Sequence, residues 1–225
     1  MNRIVRFAEY SDPNSLGSKL RRRRSKLFAD VIEAASAECG PVSIIDLGGT
    51  ESYWNIYDPD FISRHVRRIL LVNRIPEAPR NGALFDFRAG DVSNLDWLED
   101  GAFDIVHSNS VIEHIGDWQN MGQFAREVKR LARRYYVQTP YVWFPIEPHF
   151  FAPFFHWLPE PTRAGILTRI PLGRAGKSPN IDSAVRRVQS VRLLNGSQFR
   201  YLFDDAGHIS EKFLGLTKSL IAIRS

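Results

Sequence analysis

Short apolar runs rich in Val and Ile recur through the first 140 residues, with helix-like stretches between them. They are VSIIDL (42–47), RILLVN (68–73), a weaker run at 84–88, FDIVHS (103–108) and YYVQT (135–139), the last stopped by Pro140. Runs this short, with so little polar alternation, suit strands buried on both faces. Between and around them, residues 17–38, 58–67 and 119–132 read as helices. In the first, Leu20, Leu27, Val31, Ala34 and Ala35 recur at helical spacing, and Gly40-Pro41 ends it. In the last, Met121, Phe124, Ala125, Val128 and Leu131 share one face. Strand and helix in alternation require a parallel sheet with helices on both sides. A helix at 197–205 and a strand at 218–224 follow. The expected fold is α/β and doubly wound.

A chain of 225 residues is long enough for one such domain with a full core. No apolar run approaches the roughly 20 residues that span a bilayer. The opening residues lack the apolar segment of a secretory signal, so a cytoplasmic address is expected. The single cysteine, Cys39, excludes an intrachain disulfide framework. No Asp/Glu/His set at metal spacing stands out, and no metal is expected. The net charge of +5 is split among segments: residues 1–30 and 141–200 are basic, while residues 31–140 are acidic. That division argues against a nucleic-acid surface, which needs one continuous basic face.

The polar residues at the strand ends form a second pattern. Asp46 precedes Gly48-Gly49-Thr50, Asn73 ends the next strand, Asp91-Val92 follow the third, and Ser108-Asn109 end the fourth. Parallel strands bring these ends to one edge of the sheet, where ligands bind at the point of strand-order reversal. Each residue alone is as well explained by a tight turn or a loop cap. As an ordered set they describe one nucleoside-shaped cleft.

On these residues the chain resembles the class I S-adenosylmethionine (SAM)-dependent methyltransferases. Asp46-Leu47-Gly48-Gly49-Thr50 is similar to the family's glycine loop. Asn73 stands at the position of the ribose-binding acid, Asp91 at that of the residue reading the adenine amino group, and residues 103–114 resemble the fourth-strand signature. A bacterial subgroup with GGT followed by an aromatic pair, here Tyr53-Trp54, looks similar. The resemblance covers residues 42–140 and implies a Rossmann-like, mostly parallel, seven-stranded sheet. It also implies SAM as cofactor, with Asp46, Gly48, Gly49, Thr50, Asn73, Asp91, Val92, Ser108 and Asn109 as cofactor-binding candidates. Two departures stand out: Thr50 and Ser52 replace motif glycines, and the ribose acid is an amide, which forfeits charge-assisted hydrogen bonding.

The implied activity is methyl transfer, expected at oxygen, to a small-molecule, glycan or lipid-linked acceptor. A hydroxyl nucleophile needs a general base. The catalytic candidates are His149 and Glu147, in the Pro-flanked Glu-x-His of residues 145–149, and His114, which opens a helix at the cleft. His107, inside a strand, reads as structural. One rival is a non-catalytic SAM-binding or membrane-docking module. Another is an NAD(P) oxidoreductase, whose G-x-G-x-x-G the segment 48–52 does not supply.

Residues 141–160 hold eight aromatics and four prolines. They are expected to cover the sheet, to form a lid over the acceptor, or to touch an anionic membrane surface peripherally. Arg21 to Arg24 could assist membrane contact, but read first as a solvated helix face. The plan expected is one domain: an N-terminal arm and helix (1–40), the SAM-binding core (42–140), an insertion or lid (141–195), and a C-terminal helix and strands (196–225).

Overall fold

The computed structural model describes residues 16–74, 80–173 and 175–225, with side chains from residue 22 onward. The first 15 residues of the expected N-terminal arm, and the side chains of Leu20 and Arg21, lie outside the described residues. Helix α1 (Leu16–Cys39) leads into β1 (Val42–Leu47), α2 (Glu51–Trp54), α3 (Pro59–His65), β2 (Val66–Asn73), β3 (Phe85–Ala89) and β4 (Ile105–Asn109). Helix α4 (Trp118–Leu131) and β5 (Arg134–Pro140) follow, then α5 (Glu160–Leu167), α6 (Ile181–Gln189), α7 (Gly196–Leu202), β6 (Gly207–Phe213) and β7 (Leu216–Arg224). One seven-stranded sheet has the order β3-β2-β1-β4-β5-β7-β6. Strands β1 to β5 pair in parallel, and β7 runs antiparallel between β5 and β6.

Period-two alternation in β1 sorts its side chains to two cores. Ile45 and Leu47 join Val106, Tyr135 and Val137 under α4 and α7, with Met121, Phe124, Val128 and Phe199 filling that layer. Val42 and Ile44 face the other way, against Phe28, Val31, Ile32 and Ala35 of α1 and Trp54 of α2. Each such fully buried side chain contributes about 1.5–3 kcal/mol, which is why both faces of β1 are apolar.

Some expectations need correction. Strand β2 begins at Val66, so the helix read as 58–67 stops at His65. Within the expected insertion, residues 161–190 contain α5 and α6, whose Ala164, Leu167, Ala184 and Val188 pack on Phe150 and Phe155. The aromatic insertion therefore has a core of its own, while Tyr141 packs on the sheet's core and Phe144 meets Phe213 of β6; Trp143, Phe154 and Trp157 stay exposed. The arginine run is also divided. Arg22 and Arg23 are exposed, whereas Arg24 is buried, with its Nε 3.5 Å from Glu211 Oε1. Among the described residues no helix is long and apolar enough to cross a membrane.

Candidate functional site

The strand order reverses between β1 and β4, and the chain leaves β1 there through Gly48-Gly49. Gly48 has φ +77°, and its N–H donates to Val72 O at 2.7 Å. A Cβ on Gly48 would lie 2.5 Å from Val111 Cγ2; one on Gly49 would lie 1.9 Å from Asp46 Oδ2. Both positions therefore require glycine, for different reasons. Asn73 Nδ2 reaches the carbonyls of Gly48 and Gly49, each at 3.3 Å, and so holds the turn against the end of β2.

Asp46 faces away from this turn's open side. Its carboxylate is buried and accepts from Trp54 Nε1 at 2.9 Å and His107 Nδ1 at 2.7 Å. His107 Nε2 lies 3.2 Å from the Tyr53 hydroxyl, and its ring stacks on Tyr136. Asp46 thus locks α2 to β4 beneath the glycine turn, and His107 is the structural residue its place in a strand suggested.

A cleft of about 190 Å³ opens at this edge, lined by Gly48, Asn73, Arg74, Val92, Ser110, Val111, His114 and Ile115. Of the cofactor candidates, Gly48, Asn73 and Val92 form its wall. Asp91 sits next to Val92, exposed, and accepts from Ser93 N at 2.9 Å, Ser93 Oγ at 2.7 Å and Arg74 at 2.8 Å. Partial burial raises its pKa, but these donors outweigh that and hold it below the ordinary aspartate value. Thr50 precedes α2 with its hydroxyl 3.0 Å from Ser52 Oγ. Ser108 and Asn109, expected at the cofactor, are used elsewhere. Ser108 Oγ is buried and donates to Leu47 O, and Asn109 Oδ1 accepts from Arg24 at 3.5 Å. The residue after them, Ser110, does reach the cleft. Its φ of 59° turns the chain there, and its Oγ bonds Gln138 Oε1 at 2.9 Å.

The three catalytic candidates come together beside the cleft. Glu147 is buried and accepts from the backbone N–H of His149 at 2.9 Å and of Phe150 at 3.0 Å. Its other oxygen takes His149 Nδ1. His149 Nε2 lies 2.9 Å from His114 Nε2, and His114 Nδ1 lies 3.0 Å from Ser190 O. A carbonyl and a carboxylate only accept, so both Nδ1 atoms carry protons. One further proton is then shared between the facing Nε2 atoms, where two lone pairs would repel. It rests on His149. Burial lowers that pKa, but the Glu147 hydrogen bond and the charges of Glu147 and Glu113 raise it more, to a value above the ordinary histidine. His114 is lowered, first by burial. Among the described residues no three His, Cys, Asp or Glu side chains form a metal-binding group.

Glu113, beneath this chain, is fully buried. Thr139 Oγ1 donates to its Oε2 at 3.0 Å, while Oε1 has no partner. Burial pushes its pKa up to about 7. The folded carboxyl thus titrates above the unfolded one, so folding favours the protonated form. This contribution is complete below the unfolded value of 4.5 and is lost as pH rises through about 7. Glu113→Gln keeps an acceptor for Thr139 and removes the buried charge. We expect it to match the wild-type Tm at pH 4 and exceed it at pH 8 by several degrees, read by scanning calorimetry. An equal Tm at both pH values would show that Glu113 ionises freely.

The cleft suits SAM: a glycine turn that a Cβ would block, an amide and a carboxylate at successive strand ends, and the apolar Val92 and Ile115 to flank a base. Gly48, Asn73, Asp91 and Val92 would hold it.

No curated protein matches the chain. Among solved structures, the CurJ carbon methyltransferase superposes with a TM-score of 0.57 at 10% identity, covering 97% of this chain and 57% of that one. The N-terminal domain of EvdMO1, solved in the presence of SAH and D-fucose, gives 0.50 at 16% identity, covering 87% of this chain and 81% of that one. An O-methyltransferase family protein from Burkholderia thailandensis gives 0.49 at 15% identity; 98% of this chain matches, spanning 62% of that protein's length. The first two likenesses speak to the fold alone. Residues 54–135, from α2 into β5, match the family model described as "Methyltransferase domain". That match, on a sheet of this strand order, makes residues 54–135 similar to a methyltransferase domain.

Proposed function

We propose that this chain transfers a methyl group from SAM to a hydroxyl oxygen of a small-molecule acceptor. The observation that carries the reading is the Glu147–His149–His114 chain, which ends on a residue of the cleft wall. Bound SAM supplies a methyl group already activated on a sulfonium. The protein's tasks are then to align the acceptor and to receive its proton. A hydroxyl approaching the edge of this pair, in place of the contact between the two Nε2 atoms, meets an imidazole nitrogen that can take its proton. Once the shared proton has left, either nitrogen can accept the hydroxyl proton. Glu147 keeps His149 Nδ1 protonated, so the lone pair stays on Nε2, and Ser190 O does the same for His114. A second cavity of about 470 Å³, lined in part by Glu147 and Phe150, adjoins this chain and gives the acceptor room. A non-oxygen nucleophile that arrives already deprotonated would have no use for such a base.

SAM binding is the first test. Asp91→Ala is expected to weaken it by roughly 1–3 kcal/mol, the cost of leaving a polar partner unsatisfied. Titration calorimetry reads this directly. Unchanged affinity would remove Asp91 from the site and leave Arg74, its ion-pair partner, without a cofactor role.

A further inference from the structure

We infer that the larger cavity binds an anionic group of the acceptor, a carboxylate or a phosphate, at Arg163. The inference rests on the methyl-transfer reading above and names the substrate class. The cavity lies between the insertion and the segment after α6, with Glu147, His156, Glu160, Arg163, Gln189 and Arg192 among its walls. Every acid in that wall already has a donor. Glu147 holds His149 and two backbone N–H groups, Glu160 accepts from Gln189 Nε2 at 2.8 Å, and Asp117 accepts from the N–H of Asn120 at 2.9 Å.

The cations are not so provided. Among the described residues, Arg163 makes no ion pair, and its Nε is buried without an acceptor. Burial lowers its pKa more than the charges of Glu160 and Glu147 raise it. Close by, His156 donates Nε2–H to Val142 O at 2.8 Å, and its buried Nδ1 has no partner. Arg163 is half-buried, so its guanidinium stays open to the cavity while its Nε lacks an acceptor, and a guanidinium's planar donors match carboxylate and phosphate oxygens. A ligand with an anionic oxygen for Arg163 and a hydroxyl for His156 would satisfy both orphans at once. Held there, it lies against Glu147, which orients the base.

The test uses the full chain loaded with SAH. It is titrated with para-hydroxyphenyl phosphate, para-hydroxybenzoate and para-hydroxybenzamide by calorimetry. The two anions separate phosphate from carboxylate, and the amide is the uncharged control. At least one anion is expected to bind tenfold or more tighter than the amide. Arg163→Gln should abolish that preference, a loss of about 10- to 100-fold, and Arg163→Lys should restore part of it. SAH affinity and Tm should stay at wild-type values in both variants. Equal binding of anion and amide, no binding of any probe, or a preference that survives Arg163→Gln overturns the inference while SAH binding stands. Failure of SAH itself to bind the wild type overturns the methyl-transfer reading and this inference with it.

Discussion

Gly49→Ala is expected to abolish SAM binding and to lower stability by roughly 3 kcal/mol. The added Cβ would sit 1.9 Å from Asp46 Oδ2, and Asp46 cannot retreat without releasing Trp54 and His107. Overpacking a rigid site costs about 1–3 kcal/mol, and each buried donor left unpaired adds about 1–3 kcal/mol. For a chain of this size that is a Tm fall of about 6–12 °C. Gly40→Ala is the control: its φ is +79°, yet its Cβ meets nothing within 4 Å. It should cost about 1 kcal/mol, for the backbone alone, and leave SAM affinity intact. A Gly49→Ala protein with wild-type Tm and SAM affinity would show that the Asp46 lock does not shape the cleft.

The second large effect is on the chemical step. His149→Ala should lower kcat by about 100- to 10,000-fold, the range for losing a general base, with SAM affinity unchanged. The pH profile gives a sharper readout. The base form of the pair lacks the shared proton, so the rate should rise with pH through an apparent pKa above the ordinary histidine value of 6.5. Glu147→Gln removes the hydrogen-bonded carboxylate that raises it, and the limb should move to lower pH. A profile that Glu147→Gln leaves in place would remove Glu147 from the proton chain. Full turnover in His149→Ala would leave His114 as the base.

Much of this architecture was readable from pattern. The runs at 42–47, 68–73, 103–108 and 135–139 are β-branched and buried, so hydrophobicity marks them without help from context. Strand β6 is different. Most of its GHISEKF is exposed at the sheet edge, and it pairs only with β7, so its pattern is polar and irregular. Helix α6 was missed because it spans nine residues in a Gly/Pro-rich stretch, although Asn180 and Ser183 form a capping box that marks its start. The site divides in the same way. Asn73 and Val92 announce themselves at strand ends, and Glu147-x-His149 is visible as a local pair. That His114 meets His149 depends on how the insertion folds back over β4, which no local spacing records. Asp46 and Ser108 carry the polar side chains of a ligand site, yet both point into the packing behind it. A polar residue at a strand end shows which edge it occupies, but not which way its side chain turns.

The most direct test supplies carbon-13-methyl SAM to the protein in a cell extract, then identifies the atom that carries the label in the product. The account predicts a labelled methyl on oxygen, formed by the wild type and nearly lost in His149→Ala. Label on nitrogen or carbon, or no labelled product from a protein that binds SAM, would contradict it.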